Sequence, residues 1–352
     1  MKKKLALALS LVMVMGLALT SCGSNDAGSA SSTGSASGST SGGASASTST
    51  PADTKGGMEG GTSLTFTTGG DQGTYYGFGG VLAGKVGETT STKVTAVASG
   101  GSKANIETMD LGDAQLGFVQ SDVMAYAYEG TRLFEEKVDS FSTVAALYME
   151  QVQIVTLNPE IKTVADLAGK NVSIGDLGSG VYFNAIDVLA AYDLTEEDIN
   201  PAYLSFGDST ENLQDGKIDA AFVVAGAPTT AVTSLAATKQ VYLVSLDDEH
   251  IEKLIETSPY YSKNIIAKDV YNTPEDVTTV AVGAVVIARD DVSEADVYNF
   301  LYGIFENLDS ITAAHAKGAE LDMEFATSVT AVPYHPGAVK YFAEKGITVP
   351  GK

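Results

Sequence analysis

The sequence predicts an α/β protein with two similar lobes, each a mostly parallel sheet flanked by helices. Segments with the composition of strands alternate with segments of helical pattern, an order typical of parallel sheets. The order also repeats, because aligning Gly112 with Gly216 brings Phe118 onto Phe222. Two copies of a β-α-β-α-β unit place loops from both lobes around a shared cleft. This cleft is therefore the expected site for a small molecule.

The first residues have the pattern of a bacterial lipoprotein signal peptide. Three lysines at 2–4 precede an apolar run at 5–19, and the run ends in the sequence LTSC, whose last residue is Cys22. The run is short for a membrane-spanning helix, and an aliphatic residue, two small residues and a cysteine form a lipid-attachment pattern. We expect residues 1–21 to be a signal peptide and Cys22 to carry lipid, which would anchor the protein outside the cell membrane. An ordinary signal peptide followed by a free cysteine is the alternative.

The rest of the chain divides into a tether and a two-lobed body. Residues 22–61 are rich in Ser, Gly, Ala and Thr and contain almost no apolar residues, so we expect a lipid-anchored, disordered tether. The remainder is longer than a single core usually supports. Because a buried strand is expected to return the chain to the first lobe, we assign 62–151 with 281–352 to lobe I and 152–280 to lobe II.

The composition limits the partners of the protein. The chain has 21 Lys and Arg against 44 Asp and Glu, a formal net charge of −23, and a leader with three lysines would leave the mature chain more negative still. Like charge repels nucleic acid and bare anionic lipid, so neither is an expected partner. With a single cysteine, neither a disulfide nor a thiol catalyst is expected. We expect a monomer without a cofactor.

The first part of the body is expected to contain four strands, at 64–69, 93–99, 116–122 and 141–157. The first three end in glycine or polar residues that precede a helical pattern, and Ser102 is the expected N-cap of the second helix. The fourth is long and apolar, which suits a strand that crosses from one lobe to the other.

The second part begins with a capping box formed by Thr163 and Asp166 and then repeats the first pattern through residue 228. The further elements expected in chain order are a strand at 242–246, a loop at 258–276, a strand at 278–288, and helices at 293–317 and 336–345.

Six segments of the body occur in a recognisable order: TTGGDQGTYYGFGGVLA, ASGGSKANIETM, GFVQSD, GSG, LQDGKIDAAFVVAGAP and HPGAVKYFAEKGI. Together, over residues 62–347, they resemble the TAXI family, the TRAP-associated extracytoplasmic immunogenic proteins. The resemblance implies a two-lobed, type II periplasmic-binding-protein fold. It also implies a solute-binding subunit that delivers a small organic anion, a dicarboxylate such as glutamate or 2-oxoglutarate, to the membrane subunits of an ion-gradient-driven TRAP transporter. Asp71 and Val181 depart from the family pattern on presumed cleft loops, so the family's ligand does not transfer directly.

Two other functions fit the same sequence features. A binding lipoprotein of an ATP-driven ABC importer is the alternative, because its cleft would have the same chemistry. A surface adhesin or structural lipoprotein is a third, and it predicts no stabilisation by a ligand.

The expected binding site consists of glycine-rich turns that follow strands and open helices, because such turns direct backbone N–H groups at an anion. Other TRAP binding proteins hold a ligand carboxylate with an arginine of the second lobe, but residues 152–280 contain none. Backbone amides and neutral side chains are therefore expected to hold it. The expected ligand-binding residues are Gly73, Thr74, Tyr75, Gly101, Ser102, Asn105, Gln120, Ser121, Asp122, Ser179, Gly180 and Gly226.

Four aspartates also lie near presumed strand ends: Asp71, Asp122, Asp176 and Asp208. One that faces the cleft would suit the amino group of an amino acid rather than a 2-oxo acid. The alternative for each is a helix cap or a solvent-exposed side chain.

Catalytic and metal-binding patterns are weak, so we expect no enzyme and no metal. The histidines, His250, His315 and His335, are scattered. His250 follows three acidic residues, which is more typical of an exposed turn than of a metal site, and His335 is expected to shape the turn before the last helix.

Overall fold

The computed structural model of this protein describes residues 55–132 and 134–352. The strands are β1 (Ser63–Thr67), β2 (Lys93–Val97), β3 (Leu116–Gln120), β4 (Phe141–Thr156), β5 (Asn171–Ser173), β6 (Asn200–Ala202), β7 (Ala220–Ala225), β8 (Tyr242–Leu243), β9 (Ser262–Ile266) and β10 (Val277–Arg289). The helices are α1 (Thr74–Thr89), α2 (Ser102–Asp110), α3 (Ser121–Glu129), α4 (Gly180–Ala191), α5 (Phe206–Gln214), α6 (Thr230–Ala236), α7 (Asp248–Thr257), α8 (Glu294–Phe305), α9 (Leu308–Ala314), α10 (Met323–Ala326) and α11 (Pro336–Glu344).

The strands form one ten-stranded mixed sheet in the order β2-β1-β3-β10-β4-β7-β5-β6, with β8 paired to β4 and β9 paired to β10. The triplets β2-β1-β3 and β6-β5-β7 are parallel and have the same internal order. The pairs that involve β4 and β10 are antiparallel. The repeat read from the sequence therefore corresponds to two equivalent parallel units. Parallel pairing stays within these units, and the sheet as a whole is mixed.

Two long strands join the units. β4 has 16 residues and β10 has 13, and both are almost wholly buried. Their first and last parts belong to different cores. Tyr148 and Ala284 pack in a core around Phe118, whereas Val152 and Val282 pack in a core around Phe222. We call the first core with its helices lobe I and the second lobe II. The chain has the two-lobed type II periplasmic-binding-protein fold, with β4 and β10 as the crossovers.

Several element boundaries differ from the sequence prediction. The strand expected at 116–122 ends at Gln120 because Ser121 begins α3. The segment 258–276, expected to be loop, contains β9, which pairs with β10. The helix expected at 293–317 is interrupted between α8 and α9. The capping box of Thr163 and Asp166 is confirmed, on a short 3-10 helix.

The packed chain begins before residue 62. The amide of Met58 donates to Oδ1 of Asn299 at 2.6 Å, and Gly56 donates to the carbonyl of Thr89 at 2.8 Å. The prediction that the tether extends to residue 61 is therefore wrong for residues 55–61. The signal peptide, Cys22 and the rest of the predicted tether lie outside the described residues. Within residues 55–132 and 134–352, no helix is both long and apolar enough to span a membrane.

Candidate functional site

A cavity of about 100 Å³ lies between the lobes at the ends of their strands. Lobe I lines it with residues 69–75 and 99–102, and with Gln120 and Glu150. Lobe II lines it with Asp176, residues 179–181 and 204–207, Val224 and Ala225. Both halves of the internal repeat thus supply loops to one site.

Four helices begin at this cavity: α1 and α2 from lobe I, α4 and α5 from lobe II. The N-cap residues of the first three, Gly73, Gly101 and Ser179, make no side-chain capping hydrogen bond. Ser205 differs, because its Oγ accepts from the amide of Asp208 at 3.1 Å and so caps α5 itself. The first N–H groups of a helix have no partner within the helix and carry partial positive charge. Three helix N-termini from two lobes therefore offer backbone donors to one anionic group.

Two glycines allow the lobes to meet here. Gly101 has φ of 100°, in the region that favours glycine, and a Cβ on it would lie 3.3 Å from Cα of Ser179. A Cβ on Gly180 would overlap the side-chain amide of Gln120 and lie 2.9 Å from Oγ of Ser102. Side chains at either position would hold lobe II away from lobe I.

Glu150, on the crossing strand β4, is the buried charge-bearing group of the cavity. It is only 2% exposed, and the hydroxyl of Tyr75 donates to its Oε2 at 2.8 Å. The Tyr75 ring stacks on Phe118 with centroids 4.6 Å apart, which holds the hydroxyl in place. Burial raises the pKa of Glu150 to about 8, although the hydrogen bond from Tyr75 acts in the opposite direction.

Gln120, the last residue of β3, also lines the cavity. Its backbone amide donates to Oγ of Ser102 at 3.1 Å. Its side-chain Oε1 is buried and has no hydrogen-bond partner among the described residues. A buried amide oxygen without a donor is costly, so a donor from a bound molecule would satisfy it.

The lobes are in direct contact around the cavity. Thr74 donates through Oγ1 to the carbonyl of Gly226 at 2.9 Å. The amide of Ala104 donates to Gly178 at 3.0 Å, and the amide of Ala231 donates to Gln72 at 3.2 Å. Each bond joins lobe I to lobe II, so the structure is in a closed arrangement.

A second set of interlobe contacts, which we call the interlobe cluster, comprises Asp122, Arg132, Asn184, Asp187 and Tyr261. Nδ2 of Asn184 donates to Oδ2 of Asp122 at 3.0 Å and to the Tyr261 hydroxyl at 2.8 Å. Asp187 accepts from Tyr261 at 3.2 Å and forms an ion pair with Arg132. Asp122 and Arg132 belong to lobe I, and the other three belong to lobe II, so the cluster stabilises closure.

Burial and the nearby Asp187 raise the pKa of Asp122 to about 7. An acid whose pKa is raised in the folded state stabilises that state while protonated, and this contribution is lost as pH rises from about 4 to about 7. We expect the thermal midpoint of the ligand-free protein to fall between pH 5 and pH 8, and to fall less in Asp122→Asn, which cannot ionise. Scanning calorimetry across this range checks it. An equal fall of the thermal midpoint with pH in both proteins would contradict the raised pKa of Asp122.

Eight of the twelve predicted binding residues line the cavity: Gly73, Thr74, Tyr75, Gly101, Ser102, Gln120, Ser179 and Gly180. The side chains of two of these also make hydrogen bonds within the protein. Thr74 donates to lobe II, and Ser179 donates through Oγ to the carbonyl of Asp176 at 2.6 Å. The prediction that Ser102 caps α2 is wrong. Gly101 is the N-cap, and Ser102, the first helical residue, accepts from Gln120 instead.

The other four predicted residues do not line the cavity. Asn105 donates to the carbonyls of Thr68 and Phe118, within lobe I. The hydroxyl of Ser121 accepts from the amide of Gly283 on β10. Asp122 belongs to the interlobe cluster, and Gly226 contributes its carbonyl to Thr74.

Of the four aspartates near presumed strand ends, two line the cavity and two do not. Asp71 and Asp176 line the mouth of the cavity and are exposed, whereas Asp122 is buried away from it. Asp208 accepts from Ser205 on the surface of lobe II. Glu150 was missed, although it is the one charged residue in the long apolar run of β4, and that isolation was the available signal.

All three histidines have structural contacts, and His315 accepts from the amide of Lys317 at 3.2 Å. His335 caps α11, accepting from the amide of Gly337 at 3.2 Å, which confirms its predicted role in that turn. His250 stacks on Tyr192 and contacts Asp247, the N-cap of α7. Among the described residues, no group of three or more His, Cys, Asp or Glu side chains is arranged to hold a metal ion.

Comparisons with known proteins identify a family whose model matches this chain and solved structures that resemble it. The model of the NMT1-like family matches residues 66–346. The solved structure of MatC from Rhodopseudomonas palustris with bound malate is 14% identical, covers 76% of this chain and 94% of its own, and superposes with a TM-score of 0.54. The alkanesulfonate-binding protein SsuA from Xanthomonas axonopodis pv. citri bound to MOPS is also 14% identical, covering 80% and 90%, with a TM-score of 0.46.

A third similar structure is the periplasmic aliphatic sulphonate binding protein SsuA from Escherichia coli. It is 17% identical, covers 81% of this chain and 84% of its own, and has a TM-score of 0.43. The similarity to MatC concerns the fold alone. The family match spans nearly all of both lobes, and the chain therefore belongs to the NMT1-like family of periplasmic solute-binding proteins.

Proposed function

We propose that this protein binds a small organic ligand with a carboxylate group in the interlobe cavity and delivers it to a membrane importer. The observation that carries the proposal is the convergence of α1, α2 and α4 on one cavity, with no side-chain cap at any of the three N-termini. A carboxylate there accepts from backbone N–H groups of both lobes, without an arginine. This is a role in binding and transport rather than catalysis.

Ligand binding and closure are coupled in this scheme. A ligand that touches both lobes has contacts in the closed state that the open state lacks, so it shifts the population towards closure. β4 and β10 are the connections about which the lobes would move. The closed form would then be the one that the membrane partner recognises.

The ligand suggested by the sequence resemblance is a dicarboxylate such as glutamate or 2-oxoglutarate. The malate in the MatC structure is also a small dicarboxylate, which supports a ligand of this size.

The importer is either of the TRAP type or of the ABC type. The sequence resemblance supports a TRAP transporter, with lipid at Cys22 as the anchor. The fold is shared with binding proteins whose descriptions name ABC transporters, so the comparisons support the ABC alternative at least as well. Adjacent genes for two TRAP membrane subunits, or for a permease and an ATPase, would separate them. The mass of lipid on Cys22 would test the anchor.

We expect thermal unfolding to reveal the ligand. A body beginning at Lys55, screened by dye fluorescence against dicarboxylates, 2-oxo acids and amino acids, should unfold several degrees higher with its ligand. A ligand at about 1,000 times its dissociation constant adds roughly 4 kcal/mol to the free energy of unfolding. A dye is needed because the chain has no tryptophan.

The control is mass spectrometry of an extract of the denatured protein, which detects a ligand retained through purification. An empty extract together with an unchanged midpoint for every compound would contradict the proposed function, and would favour an adhesin or structural lipoprotein.

A further inference from the structure

The charges around the cavity distinguish between kinds of carboxylate ligand. The described residues that line it include three acids, Asp71, Glu150 and Asp176, and no lysine, arginine or histidine. Two of the acids are at the mouth, and the third is buried at 2% exposure. Clefts lined by one sign of charge concentrate ligands of the opposite sign and repel ligands of the same sign. A second carboxylate on the ligand would meet these acids, and none of the described lining residues offers it a positive charge.

The groups around Glu150 leave it able to accept another hydrogen bond. Tyr75 donates to Oε2, and no described lysine or arginine forms an ion pair with Glu150. Lys317, which favours the ionised form of Glu150 at longer range, is bonded to Glu320. Burial without a direct cationic partner disfavours the anionic form of a carboxyl group. No described cation lies within ion-pair distance of Glu150, and the ammonium group of a ligand would supply one.

Gln120 provides the second acceptor. Its Oε1 is buried, without a donor, on the same cavity wall as Glu150. The cavity thus has two kinds of subsite: helix N-termini that donate, and a pair of buried side chains that accept.

We propose that the ligand is a zwitterion without net charge, an amino acid whose carboxylate is held by the N-termini of α1, α2 and α4 and whose ammonium group is held by Glu150 and Gln120. The inference rests on the proposed function and narrows it, because it replaces a dicarboxylate by a neutral amino acid. Glu150 then determines specificity for the ammonium group. The raised pKa of Glu150 adds a consequence: the ammonium group favours the carboxylate form, so binding near pH 7 releases a proton.

The experiment is titration calorimetry with three pairs of ligands that differ in the ammonium group: alanine and pyruvate, leucine and its 2-oxo acid, glutamate and 2-oxoglutarate. We expect the best-fitting neutral amino acid to bind at least tenfold more tightly than its 2-oxo acid and more tightly than glutamate. Two buffers of different ionisation enthalpy at pH 7 should show proton release.

The matched variants are Glu150→Gln and Glu88→Gln. Glu150→Gln retains an acceptor for Tyr75, so we expect it to fold, to lose about 10–100-fold in affinity for the amino acid, and to release no proton, because hydrogen bonds to charged groups contribute about 1.5–3 kcal/mol. Glu88, an exposed residue on α1 paired with Lys85, should be replaceable without effect. The thermal midpoint of each variant reports folding independently of affinity.

Three results would overturn the inference. Tight binding of a 2-oxo acid or of glutamate with no neutral amino acid bound would contradict the zwitterion and leave the proposed function standing. Unchanged affinity in Glu150→Gln would remove Glu150 from the ammonium subsite. Binding of none of the six compounds, with nothing in the extract of the denatured protein, would reject the proposed function as well.

Discussion

Gly180→Ala is expected to weaken ligand binding by about 10–100-fold while leaving each lobe folded. The new Cβ would overlap the Gln120 side chain and lie 2.9 Å from Oγ of Ser102. Gly180 belongs to lobe II, and the two residues that it would strike belong to lobe I. The overlap therefore exists only when the lobes are closed. Overpacking of this kind costs about 1–3 kcal/mol, which corresponds to the expected loss of affinity.

Gly180→Ala should not destabilise the open form of the protein. Gly180 is the first residue of α4, and alanine is favoured over glycine in helices. We expect the ligand-free thermal midpoint to stay the same or to rise slightly. Titration calorimetry with the compound that gives the largest thermal shift measures the affinity, and small-angle scattering measures the compaction that accompanies binding.

Gly70→Ala is the matched control. Gly70 lines the same cavity, but no heavy atom lies within 4 Å of the position of its Cβ. Equal losses in both variants would mean that any added methyl group on the wall disturbs the ligand. Wild-type affinity in Gly180→Ala would mean that the ligand-bound lobes do not approach as closely as they do here.

The sequence identified the repeated unit and the helix-opening turns because both are local patterns. Gly101 with Ser102, and Ser179 with Gly180, lie in turns that connect a strand to the helix that follows it, so their positions could be predicted without knowing how the lobes pack. Parallel strands then bring such turns to one edge of a sheet.

The errors concern residues whose surroundings depend on packing between lobes or between strands. Asp122 follows β3 just as a cleft residue would, but its side chain meets Asn184 of lobe II outside the cavity. Local sequence contains no information about that distant partner. Glu150 lies within a strand rather than at its end, so a search of strand ends passed over it. A single acidic residue in an apolar strand therefore indicates a binding site as strongly as a polar turn does.

Arg132→Ala is expected to destabilise the closed state by about 1–3 kcal/mol and to weaken ligand binding about 10–100-fold. Arg132 of lobe I pairs with Asp187 of lobe II, whose side chain is 6% exposed. Without the guanidinium, Asp187 remains buried near the carboxyl of Asp122, which is itself fully buried. Arg132 is 40% exposed, and we therefore place the effect below the 3–5 kcal/mol typical of a fully buried broken pair.

A double-mutant cycle separates this pair from the rest of the cluster. Asp187→Asn keeps an oxygen that can accept from Tyr261 and Arg132, so its loss should be smaller than that of Arg132→Ala. The double variant should regain part of the affinity because it removes the unpaired charge. Calorimetric affinities of the four proteins give the coupling.

Arg289→Ala provides a control of the same residue type. Arg289 is the other arginine of the chain, and it pairs with Asp291 two residues away, within lobe I. Its loss cannot change the contact between the lobes, so we expect wild-type affinity. If Arg132→Ala also binds as tightly as wild type and compacts as much in scattering, the interlobe cluster does not stabilise the ligand-bound state. Closure would then depend on the ligand and on the hydrogen bonds that Thr74, Ala104 and Ala231 make between the lobes. If affinity falls for Arg132→Ala alone, closure depends on a contact outside the cavity, and variants of the cluster could tune affinity without touching the ligand.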